Sequence, residues 1–173
     1  RRQRQMCIRD RFSSSPIMLS HVEEDGRLIT GQNPLSTTDA AMAVVRALGV
    51  EPRAPRVFPE DATIALITRV LDGDVAALEE MDAYPEAYQV ELVGMYGYYY
   101  LKLAEDSAQI EHAVILMEAA NKTMEHPVLA MKIIEGHQQL GQTDLALERA
   151  RQLAQALPDN EKVQALLASL EAS

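Results

Sequence analysis

The chain has 173 residues, of which 47% are apolar and 24% charged, and its formal net charge is −10. This globular balance excludes wholesale disorder, and no apolar run approaches the roughly 18 residues of a membrane span. A single Cys permits neither an internal disulfide nor a Cys-based zinc site, and the negative charge argues against nucleic acid as a partner. With no Trp, 5% aromatics and abundant Ala, Leu, Val and Met, the expected chain is mostly α-helical and cytoplasmic, with no cofactor and no metal.

Charge is unevenly spread. Residues 1–11 hold five Arg against Asp10, residues 12–56 four basic and five acidic groups, and residues 57–173 seven basic and twenty acidic groups. The opening "RRQRQMCIRDR" has no helical or strand period and no signal-peptide core. It can be read as a basic arm. However, "MCIRDR" resembles the in-frame translation of a transposon-end adaptor used in sequencing libraries. On that resemblance residues 1–11 are a non-native scar, the natural protein extends further on its N-terminal side, and Cys7 is no nucleophile.

Pro16–Val22 is an apolar run of strand length, Glu23 to Gly26 supplies a hairpin turn, and Arg27–Thr30 returns as a second strand. Ser36 is placed to N-cap a helix, with Asp39 completing a capping box. Ala41, Val44, Val45 and Leu48 share one apolar face of that helix, and Gly49 ends it. Two strands and one helix cannot bury a core of their own, so this segment belongs with a larger sheet.

The run Asp25–Gly49, "DGRLITGQNPLSTTDAAMAVVRALG", resembles the C-terminal signature of the ThiJ/PfpI family, which has the class I glutamine amidotransferase-like fold. The resemblance implies that residues 12–50 are the C-terminal piece of a doubly wound α/β domain. In that family the loop after the last strand borders a reactive Cys pocket, so Thr30, Gly31, Gln32, Asn33 and Pro34 would border it in the intact protein. The alternative is that Gly31 and Pro34 shape the turn and Asn33 bonds local backbone. No strand–Cys–helix elbow is present, Cys7 lacks that context, and His21 has no Cys partner. No catalytic residue is therefore assigned.

Pro52, Pro55 and Pro59 mark residues 51–59 as a linker. Beyond it, residues 60–173 are punctuated as helices throughout. The first, over 60–71, carries Ile64, Ile67 and Leu71. A short one follows, capped by Asp74 and running through Met81. Another, opened by Pro85 and reaching about residue 104, has Tyr88, Leu92, Met95, Tyr96, Tyr99 and Leu103 as its packing stripe. Ser107 caps a helix to about 121, Pro127 opens one to Leu140, Thr143 begins one to Leu157, and Asp159 caps the last.

From Pro127 to Pro158 the spacing resembles a tetratricopeptide unit. Gly141 falls at the turn, after Leu140, Ala146 at the small position between helices, and Pro158 at the terminal Pro. The departures are Ala130, where a large aromatic is usual, and His137, where Tyr is common. The resemblance implies a short solenoid offering a groove to a partner. A generic helical bundle is the alternative.

Tyr96, Tyr98, Tyr99 and Tyr100 can line a groove, but helical geometry spreads them over several faces, so core packing with one exposed ring is the expectation. His112, His126 and His137 lack metal spacing, and Glu79, Glu80, Asp82 and Glu86 read as a solvated face. The expected function is thus the C-terminal part of a ThiJ/PfpI-type protein. Its helical region would serve docking of a protein partner or self-association, without a complete active site. The rival is a non-enzymatic, tetratricopeptide-like interaction module.

Overall fold

The computed structural model describes residues 13–51 and 57–172. Cys7 and the other residues of the 1–11 segment, and the central part of the Pro-rich linker, lie outside the described residues. The described chain is mostly α-helical, with one two-stranded antiparallel hairpin and eight α-helices. Packing divides the chain into Arg1–Ile64 and Ala65–Ser173, so the division falls inside helix α2 (Pro59–Leu71). Among the described residues, no helix is long and apolar enough to cross a membrane.

In the first unit the hairpin pairs β1 (Val22–Asp25) with β2 (Leu28–Gly31), Val22 opposite Gly31 and Asp25 opposite Leu28. The two-residue turn is therefore Gly26-Arg27. Gly26 has φ +60°, and Arg27 is absent from the residues with positive φ, as a type II′ turn requires. The first strand thus begins six residues later than the apolar run predicts. The reason is that residues 15–21 fold back onto the loop after β2. Asn33 Nδ2 donates to the Leu19 carbonyl at 2.6 Å, and Gln32 exchanges two hydrogen bonds with the Ser15 backbone.

Helix α1 (Thr37–Ala47) follows a 3₁₀ turn at Pro34–Ser36. The expected capping box does not form. Ser36 Oγ accepts from the His21 backbone N–H at 3.0 Å, and Asp39 instead accepts a hydrogen bond from the Ser20 hydroxyl. Asn33 supplies the cap one turn earlier, its Oδ1 accepting from Leu35 N–H at 2.8 Å. The predicted apolar face is largely uncovered, because Val44 and Leu48 are exposed while Ala43 is fully buried.

The second unit stacks helices α3 (Leu78–Ala83), α4 (Val90–Leu103), α5 (Ser107–Met124), α6 (Pro127–Gln139), α7 (Thr143–Ala156) and α8 (Glu161–Glu171). From α4 onward each packs on its successor, and α4 also touches α6. Three caps differ from expectation, two of them by one position. Asp106, not Ser107, accepts from Gln109 N–H, and Asn160, not Asp159, accepts from Lys162 and Val163. Asp74 caps nothing and binds Arg69 instead. Pro85 opens only a 3₁₀ turn, after which Tyr88 is extended and the α-helix restarts at Val90.

The turn at Gly141 follows the sequence closely. Gly141 N–H donates to the Gln138 carbonyl and Gln142 N–H to the His137 carbonyl, both at 2.9 Å, closing α6 in a Schellman motif. The glycine has φ +73°, which explains its place there. Ala146 beyond the turn is fully buried, in a core with Ile134, Ala150 and Leu170.

The packing stripe of α4 is only partly the one expected, Tyr96 alone of its members being fully buried. Met95, Tyr99 and Leu103 are exposed, and the buried side is Val90, Val93, Gly94, Tyr96, Gly97 and Leu101. Small residues select that side. A Cβ on Gly94 would stand 3.2 Å from the Ala120 Cβ, and one on Gly97 would stand 2.7 Å from Met117 Cγ. The helices approach closely where there is no side chain, and area gained along the whole helix outweighs burying three larger residues on the other side.

Candidate functional site

A groove of about 570 Å³ lies within the helical unit, between the end of α5, the start of α6 and the outer half of α7. Its apolar wall is made by Ala130, Ile133 and Ile134 from α6 and by Leu153 and Leu157 from α7. The polar end holds Asn121, Arg149 and Gln152. Periodicity places these residues: 130, 133 and 134 share one side of α6, as 149, 152, 153 and 156 do of α7. Asn121 is fixed by its Oδ1, which accepts from His126 N–H at 3.0 Å.

A chain of polar groups braces the groove from behind. His137 is 5% exposed, and its Nδ1 lies 2.6 Å from Gln142 Oε1. Its Nε2 lies 3.1 Å from Glu118 Oε1, and the same oxygen receives Arg149 Nη2 at 2.5 Å. Glu118 therefore ties α5 to α6 through His137 and to α7 through Arg149. Arg149 Nε is buried and makes no hydrogen bond among the described residues. This brace lay beyond sequence reasoning. From sequence, His137 stood out only as a departure from the tetratricopeptide pattern and as a histidine without metal spacing, and its partners lie on two other elements.

The remaining histidines do not converge. His112 is partly buried on α5, and His126 is exposed ahead of α6. Among the described residues, no group of three His, Cys, Asp or Glu is placed to hold a metal ion. Glu80 joins Asp74 around the Arg69 guanidinium, Asp82 pairs with Lys122, and Glu79 and Glu86 are exposed.

The tyrosines divide as helical geometry requires. Tyr96 is buried, Tyr98 and Tyr100 are partly buried, and Tyr99 is exposed. The Tyr98 and Tyr99 rings meet edge to face at 5.2 Å, with Lys102 Nζ 4.5 Å from the Tyr98 centroid. Burial pushes the Tyr96 phenol well above its usual range, and its hydroxyl has no partner among the described residues.

In the hairpin unit the loop residues singled out from sequence lie together. Thr30 and Gly31 close β2, Gln32 and Asn33 hold residues 15–19, and Pro34 opens the 3₁₀ turn. Gly31 permits a close approach, since a Cβ there would stand 3.1 Å from Ser36 Cβ.

A second polar cluster, which no sequence motif marks, lies beside this loop. Ser13 Oγ lies 2.8 Å from His21 Nε2 and donates to Glu23, whose Oε1 is 3.3 Å from the same His nitrogen. A hydrolytic triad instead needs the acid on the opposite ring nitrogen from the nucleophile. The cluster is a surface hydrogen-bonded group of another kind.

No family model matches the chain, and no curated protein or solved structure matches it.

Proposed function

We propose that residues 12–50 are the C-terminal piece of a ThiJ/PfpI-type, class I glutamine amidotransferase-like domain. The helical unit is then a tetratricopeptide-like stack serving partner docking or oligomerisation. One observation carries this reading. Leu28 on β2, Val44 on α1 and Leu48 at the end of α1 are 58%, 45% and 73% exposed, and the hairpin is a two-stranded ribbon with no further strand among the described residues. A ribbon and one helix leave apolar area that a larger sheet would remove from water.

In the intact domain a Cys-dependent hydrolase site, acting on a small carbonyl or amide substrate, would lie beside Thr30–Pro34. This chain would contribute the rim and none of the reacting groups. The groove beside Arg149 favours a second reading, a non-enzymatic interaction module in which binding by the helices is the whole function.

Sequencing the coding region immediately upstream separates the two. The first reading predicts an open frame encoding a strand, a Gly-x-Cys turn, a helix and a His. An in-frame start close to residue 12, with no such elbow before it, would leave the interaction module.

A further inference from the structure

We propose that the exposed face of α4 is a self-association surface, on which a second copy of the chain packs its own α4 antiparallel across a two-fold axis. In this arrangement Glu91 of each copy meets Lys102 of the other. The proposal specifies the self-association arm of the function given above and does not depend on the amidotransferase assignment.

At 3.6 residues per turn, Glu91, Met95, Tyr98, Tyr99, Lys102 and Leu103 occupy about a third of the helix circumference. Met95, Tyr99 and Lys102 lie opposite the buried Val93 and Gly97. Met95, Tyr99 and Leu103 are 42%, 45% and 52% exposed, so α4 is apolar on both faces, a pattern expected of a helix that packs on both sides.

Neither charge on this face forms an ion pair among the described residues, although Lys102 hydrogen-bonds to Tyr98. Arg69, Lys122, Lys132, Arg149 and Arg151 each pair with a carboxylate. Lys102 instead faces the Tyr98 and Tyr99 rings, at 4.5 and 5.9 Å from the centroids. Among the described residues Glu91 has no hydrogen bond or ion pair. Each also complements the dipole at its own end of α4, which accounts for the two signs but not for the apolar residues between them.

The spacing is self-complementary. The midpoint between Met95 and Tyr99 is also the midpoint between Glu91 and Leu103, with Lys102 one residue away. A two-fold axis at that level sets Met95 of one copy on Tyr99 of the other and Glu91 beside Lys102, and uses every pair twice. A parallel arrangement would oppose like charges. In a unit carrying seven basic and eighteen acidic groups, a contact that neutralises its own Glu is one of few open to a second copy.

Sedimentation equilibrium of the full chain over a concentration series tests this, with circular dichroism confirming that each variant keeps its helix content. The wild type is expected to dimerise. Glu91→Lys and Lys102→Glu should each weaken the dimer by about tenfold or more, because like charges then meet at both pairs. Mixing the two variants should restore association, since each faces its complement. A monomeric wild type would overturn both this surface and the self-association arm, leaving docking of another protein. A dimer indifferent to both substitutions, or no recovery on mixing, would overturn this surface while self-association through another face stood.

Discussion

Gly97 of α4 lies so close to Met117 of α5 that a Cβ on the glycine would stand 2.7 Å from Met117 Cγ and 2.9 Å from the Ala113 carbonyl oxygen. The second contact is to backbone, which cannot rotate away, so the α4–α5 spacing depends on the missing side chain. Gly97→Ala should lower stability by about 1–3 kcal/mol from overpacking, even though alanine favours a helix by about 1 kcal/mol. Urea denaturation followed by circular dichroism reads this directly. A stabilised variant would mean that the two helices separate at little cost.

Tyr96 is 1% exposed and its hydroxyl finds no partner among the described residues. Removing a buried, unsatisfied hydroxyl while keeping the ring is expected to leave stability unchanged or raise it by about 1 kcal/mol. A clear loss in Tyr96→Phe, measured by thermal denaturation, would reveal a hydrogen bond from that hydroxyl.

Glu118 holds both His137 and Arg149, so Glu118→Ala should cost about 1–3 kcal/mol by stranding a buried His and releasing the guanidinium. The groove should loosen with it. Amide exchange of peptides covering 127–140 and 146–157 should quicken in the variant, whereas unchanged exchange would show that apolar contacts alone hold α6 to α7.

Arg69 donates to Glu80 at 3.0 and 2.8 Å, and these hydrogen bonds hold the Glu80 carboxyl below its ordinary range. A depressed carboxyl contributes stability at pH values above its unfolded pKa and loses it as pH falls through the folded value. The difference in melting temperature between wild type and Arg69→Gln should therefore be widest near neutral pH and close on acidification below about pH 4. Both groups face solvent and the effect is small. A gap that widened in acid would contradict the assignment.

Much of the helical unit was legible in the sequence because its ends are marked chemically. Pro127 and Gly141 bracket α6, and Thr143 starts α7. Caps were displaced where two polar residues adjoin, as at Asp106-Ser107 and Asp159-Asn160, since composition does not tell which of them is extended. The face of α4 was only partly legible, Tyr96 being buried as expected but Met95, Tyr99 and Leu103 exposed, because apolar counting gives glycine no weight, although Gly94 and Gly97 set the helix contact. The Gln142–His137–Glu118–Arg149 brace joins three helices, and no local spacing encodes it. In the hairpin, the Asp-Gly signal located the turn to within one residue. The start of β1 was missed because Asn33 and Gln32 capture residues 15–19 by long-range hydrogen bonds.

The central claim is that the hairpin and α1 are an incomplete piece of a larger sheet, beside a helical unit that holds its own core. Hydrogen exchange of the whole chain, resolved by mass spectrometry, tests it most directly. Peptides within 107–154 should exchange only through global unfolding, while those within 22–50 should exchange far faster through local opening of a ribbon with free edges. Equal protection of the two regions would contradict the claim and mark residues 22–50 as a structure complete in itself.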